Sequence, residues 1–389
     1  MEIRVWKWKR TAVSAAAIGI GAAAIGFGLK AVPLLQSIRI GGEQKILEDT
    51  SISDQSFGIS EELFGRQFAE GFGAQGFGAE GLSEEKTTET DESAVIFRES
   101  EASAEMHPSK LYPESRASDD GKIVEKHYGK QSGTQFFSLE NGGQVRNCTF
   151  WNNQDLLAES KILPDLPLKL DGTPMVLIYH THTTESFERQ ERSFFDAAFN
   201  YRTTEPDKNM VMVGAAIAKE LSDAGIGVIH SGEIHDFPVW NHSYSRSAKT
   251  VSEILAEYPS ICIALDIHRD AISTDSTIYA PVAVINGKKA AQIMIISGCD
   301  DGTMGMPEYR KNFHFASALQ QTTESMYEGL TRPILFDYRK YNQDLTTGSL
   351  LVEFGSQGNT MEEARYSGEL FGKSLAETIR QLAASKEGL

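Results

Sequence analysis

A polar stretch follows the apolar run VLIY, and its side chains are of the types that bind metal ions. The segment VLIYHTHTTESF places His180, His182 and Glu185 within six positions. Neutral imidazole nitrogens and an anionic carboxylate oxygen are ligands of zinc. Alternate side chains of an extended chain point to the same side, so His180 and His182 are expected on one face. This pattern predicts a strand end that carries part of a metal site.

Two later strand ends carry residues of the same kinds. LDIHRDA places His268 between Asp266 and Asp270, and SLLVEFG places Glu353 near the end of an apolar run. Two histidines and one carboxylate leave a zinc position for water, whose pKa then falls toward about 7. A carboxylate that does not bind the metal can take the proton of that water and pass it to a leaving amine. Together these groups are the minimum set for hydrolysing an amide bond.

Purely structural roles are the competing interpretation of these residues. A single histidine at a strand end is more often a hydrogen-bonded structural residue than a ligand. Glu353 fits such a role less well, because a buried carboxylate without a partner costs free energy. His230 and His235 flank another strand end and are interpreted as structural residues, with spare ligands as the alternative. The chain has no GxSxG elbow, and its HRD lacks the other protein-kinase motifs, so both of those enzyme classes are disfavoured.

Strands and helices alternate along the second half of the chain. This alternation predicts an α/β domain with helices on both faces of a mostly parallel sheet, with ligands at the carboxyl ends of its strands. Asn286 and Gly287 mark the turn of a hairpin. Strands are predicted at 175–180, 226–232 and 261–268 and in RPILFDYR and SLLVEFG, and helices at 208–225 and 243–258, in PEYRKNFHFASALQQTTESMYEGL and from Thr360 onward.

The first residues have the pattern of a membrane anchor. Four basic residues precede an uncharged run at residues 11–29, which at about 1.5 Å per helical residue nearly spans a hydrocarbon core of about 30 Å. We expect residues 1–40 to form a basic N-terminus and a transmembrane helix, with a cleaved signal peptide as the alternative. Residues 41–144 are rich in Gly, Glu and Thr and predict a flexible extracytoplasmic stalk. Residues 145–389 are the predicted catalytic domain.

Charge and cysteine content exclude two further classes of protein. The net charge is −17, and so acidic a chain is not expected to bind nucleic acid or anionic membrane surfaces. The three cysteines form no CxxC pair, which argues against a cysteine-rich zinc site.

Four segments, in order, closely resemble the stage II sporulation protein P family of cell-wall hydrolases from endospore-forming bacteria. They are IYHTHTTESF, DIHRDA, INGKKAAQIMIISG and YNQDLTTGSLLVEFGSQGNTMEEA, and the resemblance runs from about residue 174 to the C-terminus, plus the anchor. It implies a zinc-dependent N-acetylmuramoyl-L-alanine amidase, which cuts the amide between the glycan and the stem peptide of peptidoglycan. The family is also associated with endopeptidase action on cross-links.

The resemblance also implies roles for individual residues in a zinc amidase-like domain. DIHRDA fits a strand-end motif that supplies a ligand, His268, and LVEFG fits the motif of the catalytic glutamate, Glu353. His182 best fits the first histidine ligand, with His180 as an alternative ligand or a residue supporting one. The acidic ligand is assigned to Glu185.

Two further assignments remain open at the level of sequence. The acidic ligand of the related amidases precedes the first helix, which leaves Glu205 and Asp207 as alternatives to Glu185. From charge alone, Arg269 or Arg202 is proposed to hold substrate carboxylates.

Partners and location follow from the same resemblance. The expected partners are peptidoglycan and stage II sporulation proteins D and M, the D partner being a glycan-cleaving enzyme. The expected location is the cell membrane, spanned once, with the catalytic domain in the space between mother cell and forespore during engulfment. A catalytically inactive peptidoglycan-binding module and a membrane scaffold are the alternatives, and neither of them needs a base such as Glu353.

Overall fold

The computed structural model describes residues 86–87, 95–98 and 120–387, except residues 198 and 200. The predicted anchor and most of the predicted stalk therefore lie outside the described residues. Within these ranges no helix combines the length and the apolar character that crossing a membrane requires.

A ten-stranded sheet forms the centre of the fold. Six of its neighbouring pairs are parallel and three are antiparallel, so the predicted mostly parallel α/β architecture is observed. In spatial order the strands are β1 (Lys86–Thr87), β2 (Val95–Arg98), β7 (Gly227–Ser231), β6 (Pro174–Tyr179), β8 (Ile263–Asp270), β14 (Gly348–Ser356), β12 (Ile293–Gly298), β13 (Ile334–Asp337), β5 (Gln144–Asn147) and β4 (Phe136–Ser138).

A smaller sheet lies beside it, built around a hairpin. Its strands are β3 (Lys122–Lys126), β9 (Ser273–Thr274), β10 (Thr277–Ile285) and β11 (Lys288–Ala291). The predicted hairpin turn is confirmed: Asn286 and Gly287 have φ of 51° and 77°, the left-handed values that a tight two-residue turn requires. The apolar residues that follow the hairpin do not remain in the smaller sheet, because β12 pairs within the central sheet.

The described residues contain five helices, namely α1 (Asn153–Glu159), α2 (Met210–Asp223), α3 (Ser243–Glu257), α4 (Tyr309–Met326) and α5 (Met361–Glu387). Successive side chains along the strands point to opposite faces of the sheet, and both faces are covered by helices. Ile263 and Leu265 of β8 lie in the main core with α2, α4 and α5, whereas Ala264 packs with Val251 and Ile254 of α3 on the other face. The prediction of helices on both faces is therefore confirmed.

The long C-terminal helix begins directly after Thr360, where the sequence predicts its start. The Thr360 hydroxyl accepts from the Glu363 backbone N–H at 3.2 Å, and the Glu363 carboxylate accepts from the Thr360 N–H at 3.0 Å. This reciprocal pair satisfies two backbone donors that the helix itself leaves unpaired.

The ordered α/β part begins earlier than the predicted boundary at residue 145. β3 and β4 lie inside the range assigned to the stalk, and each pairs with a strand of the domain: β3 with β10, and β4 with β5. They are short and largely solvent-facing, so they carry no periodic apolar signal. The division of the remaining residues into anchor and stalk stays a prediction.

Candidate metal centre

Neighbouring parallel strands bring His268 and Glu353 side by side. β8 and β14 are paired in a register that sets Glu353 against His268. Because side chains alternate, Asp266, His268 and Asp270 share the sheet face on which Glu353 lies. A β-bulge follows Glu353, and β14 then resumes its pairing at Ser356 with Asp270. These four polar groups therefore line the carboxyl end of two adjacent strands.

A turn after β6 supplies the other two groups. The strand ends at Tyr179, and the Glu185 backbone N–H donates to the His182 carbonyl at 3.1 Å, which folds this segment back on itself. Donor atoms of His182, Glu185 and His268 consequently lie within 4.8 Å of one another. Each histidine Nδ1 is 3.6 Å from a different oxygen of Glu185. The structure thus brings together the three residues that the sequence assigned as ligands.

The carboxylate of Glu185 is held in its charged form. Burial raises its pKa, but the contact with His182 and the charges of Arg269 and Arg202 outweigh burial and lower the pKa well below its usual range. Its Oε2 accepts from the Arg269 backbone N–H at 3.2 Å, and its Oε1 accepts from Arg202 Nη2 at 3.4 Å. An ionised, positioned carboxylate is the form that a divalent cation requires.

His268 is fixed by an acidic neighbour on its own strand. Its Nε2 lies 2.8 Å from Asp266 Oδ1, although the alignment is that of an ion pair rather than of a hydrogen bond. Burial lowers the pKa of His268, but Asp266 and the more distant Glu185 and Glu353 outweigh this and raise it to about 9. Carboxylates behind ligating histidines commonly fix their orientation and raise their basicity.

The donor set fits a zinc ion. His182 Nε2 is buried without a hydrogen-bond partner, and burial lowers the pKa of His182, so its ring is neutral as a ligand must be. Two imidazoles and one carboxylate match the protein ligands of catalytic zinc sites.

Glu353 lies beside this group, opposite His268 on the neighbouring strand. Its Oε2 is buried and has no hydrogen-bond partner. Burial, and then the negative charges of Asp270 and Glu185, raise its pKa to about 8, against the opposing charges of His268 and Arg332. A carboxyl group with a pKa near neutrality can both accept and donate a proton at the pH of the cell.

His180 points away from this group, contrary to the expectation that it shares a face with His182. Its Nδ1 is 3.0 Å from the Ile267 carbonyl, and its Nε2 is 3.0 Å from His230 Nε2. The extended chain ends at Tyr179, so the alternation of side chains no longer holds beyond it. His235 contacts the His180 carbonyl through Nδ1 at 2.8 Å. Both ring nitrogens of His180 are thereby engaged in structural contacts.

The alternative acidic ligands lie outside the group. Glu205 is paired with Lys208, and Asp207 is exposed, and neither belongs to the set of converging donor atoms. Arg202 is 12% exposed, stacks on Trp240 at 4.1 Å and donates to Asp236 at 2.7 Å.

The guanidinium of Arg269 is committed to the backbone. It donates to the carbonyls of Ser186, Tyr201 and Asp270 at 2.7–3.2 Å, and the residue is only 6% exposed. Its position favours holding the loop that carries Glu185 rather than the predicted contact with a substrate carboxylate.

Aromatic residues that the sequence did not single out border the group. Trp240 stacks on His182 with ring centroids 3.8 Å apart, and Tyr244 lies against His182 at 5.4 Å and His268 at 6.4 Å. Tyr341 stacks on Tyr244 at 5.0 Å. All three aromatic residues lie in segments without strand or helix periodicity or at a helix start, where sequence patterns carry little information about position.

Comparison with known proteins decides the family. The family model described as stage II sporulation protein P matches residues 76–376. The chain belongs to this family. Stage II sporulation protein P of Bacillus subtilis (strain 168) is 29% identical over 234 residues, which cover 55% of this chain and 54% of the relative. The chain thus aligns with about half the length of this curated relative.

Solved amidase structures give a weaker likeness. N-acetylmuramoyl-L-alanine amidase AmiC2 of Nostoc punctiforme is 11% identical and gives a TM-score of 0.33, covering 54% of this chain and 97% of that one. The CwlD amidase from Clostridioides difficile, in complex with the GerS lipoprotein, is 11% identical and gives a TM-score of 0.34. This match covers 54% of this chain and 99% of that one. TM-scores this low do not establish a shared fold.

Proposed function

We propose that this sporulation-family chain is a zinc-dependent N-acetylmuramoyl-L-alanine amidase that hydrolyses the bond between muramic acid and the L-alanine of the stem peptide. The observation that carries the proposal is the convergence of His182, Glu185 and His268 beside the unpaired carboxyl of Glu353. Two imidazoles and a charged carboxylate would hold the ion. When bound, zinc would polarise the amide carbonyl and lower the pKa of a water ligand.

Residues of the chain supply the proton transfers, the positioning of a ligand and the binding of the substrate. Glu353 accepts the proton of the attacking water and delivers it to the departing amine of L-alanine, so the carboxyl is unchanged after each turnover. Its pKa of about 8 suits both transfers. Asp266 keeps the ring of His268 in place. Arg202, beside Trp240 at the edge of the group, remains our candidate for holding a carboxylate of the stem peptide.

The biological setting is proposed with the activity. We place the chain in engulfment, attached to the membrane by residues 1–40 and working with stage II sporulation proteins D and M, as the family resemblance suggests. Cleavage of peptide cross-links is a second reaction that the same metal group would support, because it also hydrolyses an amide. The alternative of an inactive peptidoglycan-binding or scaffold protein is disfavoured by Glu353, since a buried unpaired carboxyl destabilises the fold without aiding binding.

The test compares metal content and bond cleavage in matched histidine variants. The purified 389-residue chain and His268→Ala are assayed for zinc and for release of stem peptides with a free L-alanine amine. His314→Ala is the control, because His314 is a part-buried histidine whose contact is with Glu159 at 2.6 Å. We expect one zinc per chain and peptide release, both lost only in His268→Ala. A folded wild-type chain that binds peptidoglycan but releases nothing would contradict the amidase and support the binding module.

A further inference from the structure

Arg332 reaches the sheet edge at which Glu353 lies. β12 pairs antiparallel with β14, with Met294 opposite Glu353. The chain enters β13 parallel to β12, and the Arg332 backbone N–H donates to the Ile293 carbonyl at 2.7 Å. This register sets Arg332 at the level of Glu353, with only β12 between their strands. Arg332 is 3% exposed, so its charge is enclosed by the protein.

The guanidinium of Arg332 is only partly paired. Its Nη1 donates to Asp270 Oδ2 at 2.8 Å, whereas its Nε and Nη2 are buried and have no hydrogen-bond partner. Glu353 Oε2, at the same level of the sheet, is a buried acceptor that is also unpaired. The positive charge of Arg332 acts to lower the pKa of Glu353. Arg332 thus has unpaired donors and Glu353 an unpaired acceptor at the same level of the sheet.

Asp270 and Glu353 are two carboxyl groups that interact repulsively, and Asp270 raises the pKa of Glu353. An arginine can serve both, because its planar fork presents five N–H donors in fixed directions. A lysine supplies a single point charge and cannot donate in two fixed directions at once. The chemistry of the cluster therefore suits a guanidinium in particular.

We propose that Arg332, anchored by Asp270, is a positioning residue that holds the ionised carboxylate of Glu353 toward the metal group. This inference rests on the proposed amidase function. Glu353 carries the negative charge after the water proton has been passed on to the leaving amine, and Arg332 is the buried cation that steadies it in that form. Arg332 is not expected to touch the substrate.

The test is a double-variant cycle with kinetic and stability readouts. Arg332→Gln, Arg332→Lys and each combined with Glu353→Gln are prepared in the 389-residue chain and assayed on a soluble disaccharide-peptide. We expect Arg332→Gln to lower kcat by roughly 10- to 100-fold with KM changed less than about twofold, since only the position of the base is disturbed. Zinc content stays at the wild-type value, and Arg332→Lys restores only part of kcat.

The cycle separates positioning from a general structural role. In the Glu353→Gln background, Arg332→Gln should cause no further loss of activity, because it acts through the carboxylate that is already absent. For the metal-free proteins, Glu353→Gln should restore part of the melting temperature that Arg332→Gln loses. Equal losses of kcat in both backgrounds, or rescue by Asp270→Asn but not by Glu353→Gln, would overturn the inference.

Failure of the inference can be told apart from failure of the proposed function. If the wild-type chain releases no stem peptide, the amidase proposal fails, and the melting temperatures still test the pairing of Arg332 with Glu353. If the wild-type chain is active and Arg332→Gln retains its kcat, the inference alone is overturned.

Discussion

Zinc binding to the metal-free chain should release a proton from one particular ligand. His268 has a pKa of about 9, because Asp266 at 2.8 Å and the other carboxylates outweigh the effect of burial. Burial instead lowers the pKa of His182, and Glu185 is ionised. Near pH 7.5, therefore, only His268 among the three ligands carries a proton that the ion must displace.

The magnitude follows from the pKa of His268. At about 1.4 kcal/mol for each tenfold change, displacing this proton at pH 7 costs about 3 kcal/mol of zinc-binding free energy. The contribution of His268 to the apparent affinity should therefore rise about tenfold per pH unit and level off above about pH 9. The raised pKa of His268 also affects the stability of the metal-free fold, and this stability changes with pH in the opposite direction to the zinc affinity. Because the folded pKa exceeds the ordinary 6.5, this stabilisation is complete below pH 6.5 and is lost as the pH rises through about 9.

Calorimetry in two buffers of different protonation enthalpy counts the released protons. The count is made in Glu353→Gln, because Glu353 itself has a pKa of about 8 and would release part of a second proton near a bound cation. We expect about one proton at pH 6.5, below the pKa near 7 of a zinc-bound water. Adding Asp266→Asn should reduce the count and flatten the pH dependence, since it removes the main cause of the raised pKa. Release of no proton, or of two, from Glu353→Gln alone would refute this assignment of protonation states.

Three further predictions use other parts of the site. Metal-free Glu353→Gln should melt at a higher temperature than wild type at pH 8 but not at pH 4.5, because a folded pKa of about 8 means that stability is lost as pH rises between these values. Gly214→Ala should reduce the urea-measured unfolding free energy by about 1–3 kcal/mol, since its Cβ would lie 2.4 Å from His230 Nε2 and 2.7 Å from His180 Nε2. Zinc should change the tryptophan fluorescence in wild type and not in Trp240→Phe, because Trp240 stacks on a ligand histidine at 3.8 Å.

The sequence predicted the parts of the fold whose signals are local. The alternation of apolar strands and amphipathic helices gave the α/β class, and the cap at Thr360 and the turn at Asn286 were found where residue types demand them. Three of the strand-end residues converge as expected, because strand ends of neighbouring parallel strands meet at one edge of a sheet.

The features that the sequence did not predict depend on contacts between distant segments or on exact strand boundaries. β3 is stabilised by pairing with β10, far along the chain, and short solvent-facing strands of this kind have no pattern of their own. His180 was misplaced because the end of β6 falls one residue before it, and a strand boundary cannot be read to that accuracy from an apolar run. Arg332 precedes a short strand, and its sequence context gives no sign that it reaches Asp270.

The direction of two strands explains how the candidate site acquires a buried cation. β8 and β14 run parallel, so their carboxyl ends place His268 and Glu353 together. β12 and β13 run the opposite way, so the start of β13 lies at this same edge, and Thr331 is level with Ile293 and hence with Phe354. In an all-parallel sheet, this position would be the end of a strand, with its chain already leaving toward a helix. The switch to antiparallel pairing instead delivers Arg332 beside Glu353 from a second direction. The enclosure and the counter-charge of Glu353 thus have the same topological origin.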